Sequence, residues 1–476
     1  MIYRSTRGQT ATKTFSQAVL EGLAEDGGLL VPERIPDYSR SLTDWISLDY
    51  AQLAEKVLCE LVDLSHDDLR RCCQTAYGQR YGGPVAPLVP WGDRHVLELF
   101  HGPTLAFKDV ALQLLGQLFE LILEREDRYL NIVAATSGDT GSAAIYGVLG
   151  CPRVNIFVTH PKGRVAELQR LQMSTVLEEN VFILAVEGTF DDCQAMVKDL
   201  ASDLDFKQRY CIGAVNSINW ARIAAQIVYY FAAYLQTPGA SRGVPAVFAV
   251  PTGNFGNILA AEYARRMGLP ISELILASNE NDILPTFFNT GIYKRGSARH
   301  TYSPAMDIQV SSNFERYLSM RTQGDGDLVR AWMAEFAQKG EVEIPLGDHD
   351  GWHAASCTDQ ETLQTAVEVH ARLGRTLDPH TATAWWALER RWKDLDPEHA
   401  KIVVATAHPA KFPEVLLQRL PAGTADLTHP ALEALRGRPE RLGEIPADSI
   451  SLKEYVIERS SHSLGGVFSK AEEKAR

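Results

Sequence analysis

The stretch Leu130-Asn-Ile-Val-Ala-Ala-Thr-Ser-Gly-Asp-Thr-Gly-Ser142 predicts a buried strand, a glycine-rich turn and the start of a helix. Its first six residues are almost all apolar, as expected for a strand covered on both faces, and a helical pattern follows to about Val148. The same pattern recurs downstream, with strands and helices predicted at 154–158, 165–175, 181–186 and 190–204. Regular alternation of this kind indicates an α/β fold with a mostly parallel sheet covered by helices.

Further elements extend this pattern in both directions. Upstream, an apolar strand at 96–100 precedes a helix that begins near Lys108. Downstream, strands and helices are predicted at 218–235, 246–250, 258–267, 274–277, 361–373, 381–392 and 402–405. The stretch 280–350 gives a loop-rich signal, and signals are weak beyond about residue 422.

The domain prediction has three parts. Residues 1–92 form an N-terminal region with short amphipathic helices, 93–422 form the catalytic region, and 423–476 form a C-terminal extension. A smaller lobe is predicted within the catalytic region, at about 128–205. A chain of 476 residues is long enough for two or three such parts.

Composition excludes several classes of function. The net charge of −13 argues against a nucleic-acid partner, and no apolar run approaches the roughly 20 residues of a membrane helix. No secretory signal is apparent at the N-terminus. The seven cysteines show no C-x-x-C spacing, so we expect no metal site, no disulfide framework and a cytoplasmic location.

Lys108 lies in the stretch His101-Gly-Pro-Thr-Leu-Ala-Phe-Lys-Asp109, where a strand and turn lead into a helix. A helix N-terminus disfavours a cation, and the residues before Lys108 are apolar or small. Most lysines are ordinary solvated side chains. A lysine in such apolar surroundings can instead be desolvated, which makes its amine a good nucleophile.

The turn after the strand 130–135 contains Ser137, Asp139 and Thr140. Glycines allow close approach of a ligand, and hydroxyls with free amides at a helix start bind anions. The same residue types are also good helix caps, so a simple capped turn remains an alternative.

A second glycine-rich turn, Thr252-Gly-Asn-Phe-Gly-Asn257, follows the strand 246–250 and precedes a helix. It suits a phosphate held by backbone N–H groups. The spacing matches neither the Walker loop nor the dinucleotide fingerprint, so no nucleotide is specified.

Thr406 follows the strand 402–405, where its hydroxyl could pair with a ring nitrogen. Taken alone, Thr406 and His408 are better explained by ordinary turn chemistry. A desolvated lysine, a phosphate loop and hydroxyls around a flat ring together indicate pyridoxal phosphate, whose ring acts as an electron sink.

The sequence resembles the threonine synthase family, in its longer bacterial and fungal form. The motifs that carry the resemblance are Glu21-Gly-Leu-Ala-Glu-Asp-Gly-Gly28, His101-Gly-Pro-Thr-Leu-Ala-Phe-Lys-Asp109, Ala135-Thr-Ser-Gly-Asp-Thr-Gly-Ser-Ala143, Gly188-Thr-Phe-Asp-Asp-Cys193, Asn216-Ser-Ile-Asn-Trp-Ala-Arg222, Gly253-Asn-Phe-Gly-Asn257 and Thr406-Ala-His-Pro-Ala-Lys-Phe412. The resemblance implies fold type II of the pyridoxal phosphate enzymes, with two open, twisted, mostly parallel sheets and a helical N-terminal region. No motif covers the chain beyond about residue 422.

The resemblance also implies roles for individual residues. Lys108 would be the Schiff-base lysine and the acid/base, and Thr406 would bond the pyridine nitrogen. The cofactor phosphate would be held by Gly253, Asn254, Phe255, Gly256 and Asn257. Ser137, Asp139 and Thr140 would meet the substrate carboxylate or the cofactor's ring hydroxyl. Lys162 and Arg164 are candidates for the substrate phosphate, with a solvated basic loop as the alternative.

The implied reaction converts O-phospho-L-homoserine and water to L-threonine and phosphate. An alternative is a related phospho-lyase that stops at elimination and gives an oxo-acid and ammonia. An alternative from a different class of function is a non-catalytic binding module that keeps the fold. The oligomeric state stays open between monomer and homodimer.

Overall fold

The computed structural model describes residues 1–136, 138–347 and 351–463. The chain divides into two compact units. The first unit contains Met1–Ala18, Leu23–Ala111 and Ser217–His429. The second unit contains Val19–Gly22, Leu112–Asn216 and the described part of 430–476. The three-part division expected from the sequence stays a prediction.

The described residues contain both strands and helices throughout. The strands are β1 Ile2–Ser5, β2 Lys13–Thr14, β3 Leu30–Pro32, β4 Leu88–Trp91, β5 Arg94–Glu98, β6 Leu130–Ala135, β7 Val154–Pro161, β8 Val181–Glu187, β9 Ile212–Gly213, β10 Ala246–Pro251, β11 Ile271–Ser278, β12 Ile292–Lys294, β13 Glu341–Glu343, β14 Trp352–Ser356, β15 Ala400–Ala405 and β16 Gly443–Pro446. The α-helices are α1 Phe15–Glu21, α2 Leu42–Trp45, α3 Tyr50–Leu58, α4 His66–Gln74, α5 Lys108–Glu126, α6 Asp139–Val148, α7 Glu167–Ser174, α8 Phe190–Ser202, α9 Leu204–Arg209, α10 Trp220–Leu235, α11 Gly256–Arg266, α12 Ile283–Thr290, α13 Phe314–Arg321, α14 Gly326–Lys339, α15 Asp359–Leu373, α16 Pro379–Arg391, α17 Pro413–Leu416, α18 Pro430–Glu433 and α19 Ser449–Ser463.

The first unit is built on a six-stranded sheet in the order β14-β11-β10-β15-β5-β4. Every neighbouring pair is parallel except β4 with β5. One core cluster joins apolar residues of the sheet, such as Val247 and Val403, to Trp385 of α16 and Leu363 of α15. The strands are apolar along their length because helices cover both faces of a parallel sheet.

The second unit is built on a five-stranded sheet in the order β16-β8-β7-β6-β9, with all pairs parallel. Its core cluster includes Phe157, Leu184 and Met196, together with Leu452 of α19. The prediction of two mostly parallel sheets is therefore confirmed. The weak signals beyond residue 422 concealed the strand β16 and the helices α18 and α19. The strand was hard to see because it contains glycine and proline and pairs with β8, which is far away in sequence.

The N-terminal region contains the expected short helices and also a three-stranded antiparallel sheet in the order β2-β1-β3. The loop-rich prediction for 280–350 was wrong in part. Three helices, α12 to α14, lie there, and β12 pairs with β13. Aromatic contacts such as Phe287 with Phe314, with ring centroids 4.7 Å apart, hold this segment together.

Across residues 1–136, 138–347 and 351–463, we find no helix with the length and apolarity that a bilayer crossing requires. The same residues contain no cluster of three or more side chains arranged to hold a metal ion.

Candidate active site

Lys108 is the first residue of α5, and a compact turn connects it to β5. Leu105 in this turn has a φ of +59°, in the left-handed region. A Cβ atom at Gly102 would lie 2.6 Å from the Cβ of Asp109, so only glycine fits there. The turn therefore folds tightly against the start of α5, and Lys108 is half-buried.

Asp109, next to Lys108, stabilises this turn through hydrogen bonds to Thr104. Its carboxylate is fully buried and accepts hydrogen bonds from the Thr104 backbone N–H at 2.8 Å and hydroxyl at 2.7 Å. Burial raises the pKa of Asp109 to about 6, against the opposing effect of these bonds and of the Lys411 charge. The Lys411 Nζ donates to the Thr104 carbonyl at 2.7 Å. The backbone that presents Lys108 is thus fixed from several sides.

Thr406 lies next to the Lys108 turn. It follows β15, which pairs in parallel with β5, and it is 6% exposed. The Phe107 N–H donates to the Thr406 carbonyl at 2.8 Å, and the His408 N–H donates to the Leu105 carbonyl at 3.1 Å. Within the described residues the hydroxyl of Thr406 has no hydrogen-bond partner. The residue beside Lys108 and the predicted ring partner are therefore bonded directly.

The glycine-rich turn 252–257 connects β10 to α11. Phe255 caps the helix with a φ of +65°, and a Cβ atom at Gly253 would lie 2.6 Å from the carbonyl oxygen of Ala305. The Gly253 carbonyl accepts from the Ser311 hydroxyl at 2.6 Å, and the Asn254 carbonyl accepts from the Asn313 N–H at 3.2 Å. The carbonyls of the turn are thus bonded to the protein, while the first amides of a helix have no intrahelical acceptor.

The two polar side-chain atoms of Asn257, in the first turn of α11, have different surroundings. Its side-chain oxygen accepts hydrogen bonds from the hydroxyls of Tyr229 and Tyr230, the latter at 2.7 Å. Its amide nitrogen is buried and has no partner within the described residues. A buried unpaired donor is costly unless a ligand satisfies it. Gly256 stands at the helix start beside it.

The predicted residues of the first unit thus follow three adjacent strands. In the sheet order, β10, β15 and β5 are neighbours and all run in parallel. The glycine turn, Thr406 and the Lys108 turn come directly after them in the chain. Ligands of open α/β sheets bind at the carboxyl ends of strands, and here three such ends carry suitable groups.

The turn 136–141 of the second unit is organised differently. The Thr136 hydroxyl accepts from the N–H groups of Gly138 at 3.0 Å and Gly141 at 2.9 Å. Asp139 is buried, and its carboxylate accepts from the Gln169 side-chain amide at 2.9 Å. Thr140 is half-buried in the first turn of α6. Ser137 lies outside the described residues.

Lys162 and Arg164, the candidates for the substrate phosphate, are both exposed in the second unit. The Lys162 Nζ lies 2.6 Å from a Glu444 carboxylate oxygen and 3.6 Å from one of Glu187. Hydrogen bonds from Thr189 are the main cause of the lowered pKa of Asp192, and the positive charge of Arg164 makes a smaller contribution in the same direction. Lys162 is thus a paired surface charge in this structure.

The family model described as pyridoxal-phosphate dependent enzyme matches residues 96–407. The models for the threonine synthase N terminus and C-terminal region match residues 2–77 and 381–456. Threonine synthase of Pseudomonas aeruginosa is 42% identical over 97% of this chain and 99% of the relative.

The chain belongs to the threonine synthase family. Two solved structures of the family support this at the level of the fold. The threonine synthase of Brucella melitensis, solved with pyridoxal phosphate bound, has a TM-score of 0.90 at 39% identity and covers 97% of this chain and 99% of its own. The yeast threonine synthase has a TM-score of 0.91 at 39% identity, with coverage of 96% and 98%.

Threonine synthases are pyridoxal phosphate enzymes of the lyase class, and the residues present here fit that cofactor. The unpaired amide nitrogen of Asn257 and the first amides of α11 can donate to a phosphate. Ala305 leaves room at Gly253 only for a bare backbone. The available hydroxyl of Thr406 suits a ring nitrogen.

Sequence reasoning missed several polar residues behind this site. Asp378, His380 and Thr381 are buried at the start of α16, where Thr381 accepts from the Thr406 N–H and His380 accepts from the Ala305 N–H. Gln169 was missed as the partner of Asp139. An Asp-Pro pair that opens a helix was visible at 378–379, but it indicates a capped helix rather than a site.

Proposed function

We propose that this chain converts O-phospho-L-homoserine and water to L-threonine and phosphate. The observation that carries the proposal is the placement of the glycine turn, Thr406 and the Lys108 turn after three adjacent parallel strands. The near full-length similarity to threonine synthases supports the same reaction.

The Lys108 amine is proposed to hold the cofactor covalently by reacting with the aldehyde of pyridoxal phosphate, and to move protons during the reaction. Pyridoxal phosphate, when bound, withdraws electrons from the bonds at the substrate Cα. The freed Lys108 amine would take a proton from Cα, release it to water, and then take one from Cβ, because the amine carries only one added proton at a time. It would return protons after phosphate leaves Cγ and water adds at Cβ. Because one flexible amine serves three neighbouring carbons, no second base is required.

The other residues of the first unit would bind and orient the cofactor. Gly253, Asn254, Phe255, Gly256 and Asn257 would hold the cofactor phosphate, mainly through backbone N–H groups. Thr406 would bond the pyridine nitrogen, and a hydroxyl leaves that nitrogen largely unprotonated because it is a far weaker acid than a carboxylic acid.

In the second unit, Asp139 and Thr140, with Ser137, would meet the substrate carboxylate or the cofactor's ring hydroxyl. The bonds that Thr136 makes hold this turn in a fixed shape. Lys162 and Arg164 would bind the substrate phosphate. Lys162 would have to leave Glu444 for this, at a small cost in free energy because exposed ion pairs are weak in water.

An assay of products separates the candidate functions. The purified protein, reconstituted with pyridoxal phosphate, is incubated with O-phospho-L-homoserine, with the Lys108→Ala variant as control. We expect equal amounts of threonine and phosphate and no oxo-acid. Oxo-acid and ammonia without threonine would show the phospho-lyase instead, and no product at all would favour a binding module.

We also propose a cytoplasmic setting for this reaction. All seven cysteines lie within the described residues and none forms a disulfide. Unpaired cysteines are typical of proteins in reducing compartments. Fractionation of the source cells, with detection of the protein by antibody, would test the location.

A further inference from the structure

Asp378 is a buried carboxylate at the start of α16 that accepts four hydrogen bonds. It is 1% exposed and caps the helix by accepting from the N–H groups of His380 at 3.0 Å and Thr381 at 3.4 Å. It also accepts from the His380 ring nitrogen Nδ1 at 2.9 Å and from the Thr381 hydroxyl. The two backbone bonds are those of an ordinary N-cap. The two side-chain bonds hold the His380 ring and the Thr381 hydroxyl in place.

One branch from Asp378 leads to Thr406. The Thr381 hydroxyl donates to Asp378 and accepts from the Thr406 N–H at 3.3 Å. The Thr406 carbonyl in turn accepts from the Phe107 N–H at 2.8 Å. The backbone of Thr406 is thus held on both sides, and the chain of bonds ends at the residue before Lys108.

The other branch leads to the glycine turn. The His380 ring nitrogen Nε2 accepts from the Ala305 N–H at 3.2 Å. Because Nε2 accepts, the ring is neutral and its proton lies on Nδ1, toward Asp378. The Ala305 carbonyl oxygen lies 2.6 Å from where a Cβ atom at Gly253 would be. His380 therefore fixes the backbone that packs against the turn.

We infer that Asp378, His380 and Thr381 are positioning residues for the cofactor. One buried carboxylate sets the relative position of the ring partner Thr406 and the phosphate turn at Gly253. This inference rests on the proposed function, because it assumes that both places contact pyridoxal phosphate. A capping role alone would stabilise α16 and would leave cofactor affinity unchanged.

A pair of valine substitutions in the same helix tests the inference. Thr381→Val keeps the side-chain shape but removes the acceptor for the buried Thr406 N–H. Thr383→Val is the matched control, since Thr383 is equally buried and its hydroxyl donates to the His380 carbonyl of its own helix at 2.7 Å. Thr381→Ser restores the hydroxyl and should rescue the effect.

The measurement is the dissociation constant of pyridoxal phosphate from absorbance titration, together with the thermal unfolding midpoint of the cofactor-free protein. We expect about tenfold weaker binding for Thr381→Val, a change below about twofold for Thr383→Val, and near wild-type binding for Thr381→Ser. Equal cofactor affinities in the two valine variants would overturn the inference. Failure of the wild-type protein to bind pyridoxal phosphate would instead refute the proposed function.

Asp378→Asn gives a second, independent reading, because asparagine keeps one side-chain oxygen as an acceptor and replaces the other with an NH2 donor. We expect a lower unfolding midpoint for the cofactor-free form, because the new NH2 group faces donors that Asp378 accepts from, and cofactor binding by the folded variant weakened about tenfold. The loss follows because an amide no longer holds the His380 proton and the Thr381 hydroxyl by charge. Unchanged cofactor affinity in this variant would show that Asp378 acts only as a helix cap and would overturn the inference.

Discussion

Two glycine-rich turns of similar sequence, one in each unit, differ in what they leave for a ligand. In the turn 252–257 the carbonyls are bonded to the protein, and the buried amide nitrogen of Asn257 has no partner within the described residues. In the turn 136–141 the Thr136 hydroxyl already accepts from two amides, and Asp139 is bonded to Gln169. The first turn offers the Asn257 amide to a phosphate, whereas in the second turn the N–H groups of Gly138 and Gly141 are already bonded to Thr136.

A glycine-rich strand-to-helix turn does not identify its ligand by itself. The groups that matter are those that neighbouring side chains leave unbonded. We therefore propose that the turn of the first unit binds the cofactor phosphate and that the turn of the second meets the substrate carboxylate or the cofactor's ring hydroxyl.

Lys108→Ala should have the largest effect. Without the amine, the protein loses both its covalent link to the cofactor and its base, so kcat/KM should fall at least about a thousandfold. The visible absorption of the reconstituted protein should change at the same time. Lys56→Ala, on the exposed side of α3, is the control and should behave as wild type. Retention of activity in Lys108→Ala would remove the lysine from the mechanism.

Gly253→Ala should weaken cofactor binding at least about tenfold, because the new Cβ would clash with the Ala305 carbonyl oxygen. Gly78→Ala is the matched control, since a Cβ there meets no atom within 4 Å. Absorbance titration with pyridoxal phosphate measures both. If the two alanine variants bind the cofactor equally well, the turn 252–257 is not its phosphate site.

Thr136→Val should separate the two turns. Loss of the hydroxyl leaves the buried N–H groups of Gly138 and Gly141 without their acceptor. We expect KM for O-phospho-L-homoserine to rise about tenfold, with cofactor affinity changed by less than about twofold. Thr175→Val, which removes a hydroxyl bonded within α7, is the control. An equal loss of cofactor affinity would assign this turn to the cofactor ring instead.

His408→Asn should have the smallest effect, on the pH dependence of stability. Burial, with a smaller effect of His429, lowers the pKa of His408 from 6.5 to about 4. Between these values the unfolded chain binds a proton that the folded chain does not, so stability falls on acidification. Asparagine can keep the bond from the Ala410 N–H but cannot titrate.

Urea unfolding at several pH values measures this effect. The wild-type free energy of unfolding should decline more steeply than that of His408→Asn from about pH 6.5 to 4. The variant should take up as much as about one proton fewer on unfolding. Parallel curves for the two proteins would show that His408 is not held neutral by burial.

Several features were predictable from the sequence because their signals are local. The strand 130–135 has the bounds expected, and α5 begins at Lys108 as predicted. Strands buried on both faces require apolar residues at nearly every position, so they are visible without tertiary information. The turns that follow such strands were equally visible, which is why Lys108, the glycine turn and Thr406 could be named as candidates.

Other features depend on contacts between distant residues. Helix α12 contains Pro285 and several residues of low helix propensity, and it is held by contacts such as Phe288 with Trp352, 4.8 Å apart between ring centroids. The same reason hid the role of Asp378, since its effect reaches Thr406 and Ala305 only through Thr381 and His380. No local pattern encodes such a network.

The most direct test of the account is to find the lysine that carries the cofactor. The reconstituted protein is reduced with borohydride, digested and examined by mass spectrometry, with Lys108→Ala treated in parallel. We predict that the added mass lies on the peptide containing Lys108 and is absent from the variant. A modified Lys411, which is buried and bonded to the Thr104 carbonyl, or any lysine other than Lys108, would contradict the account.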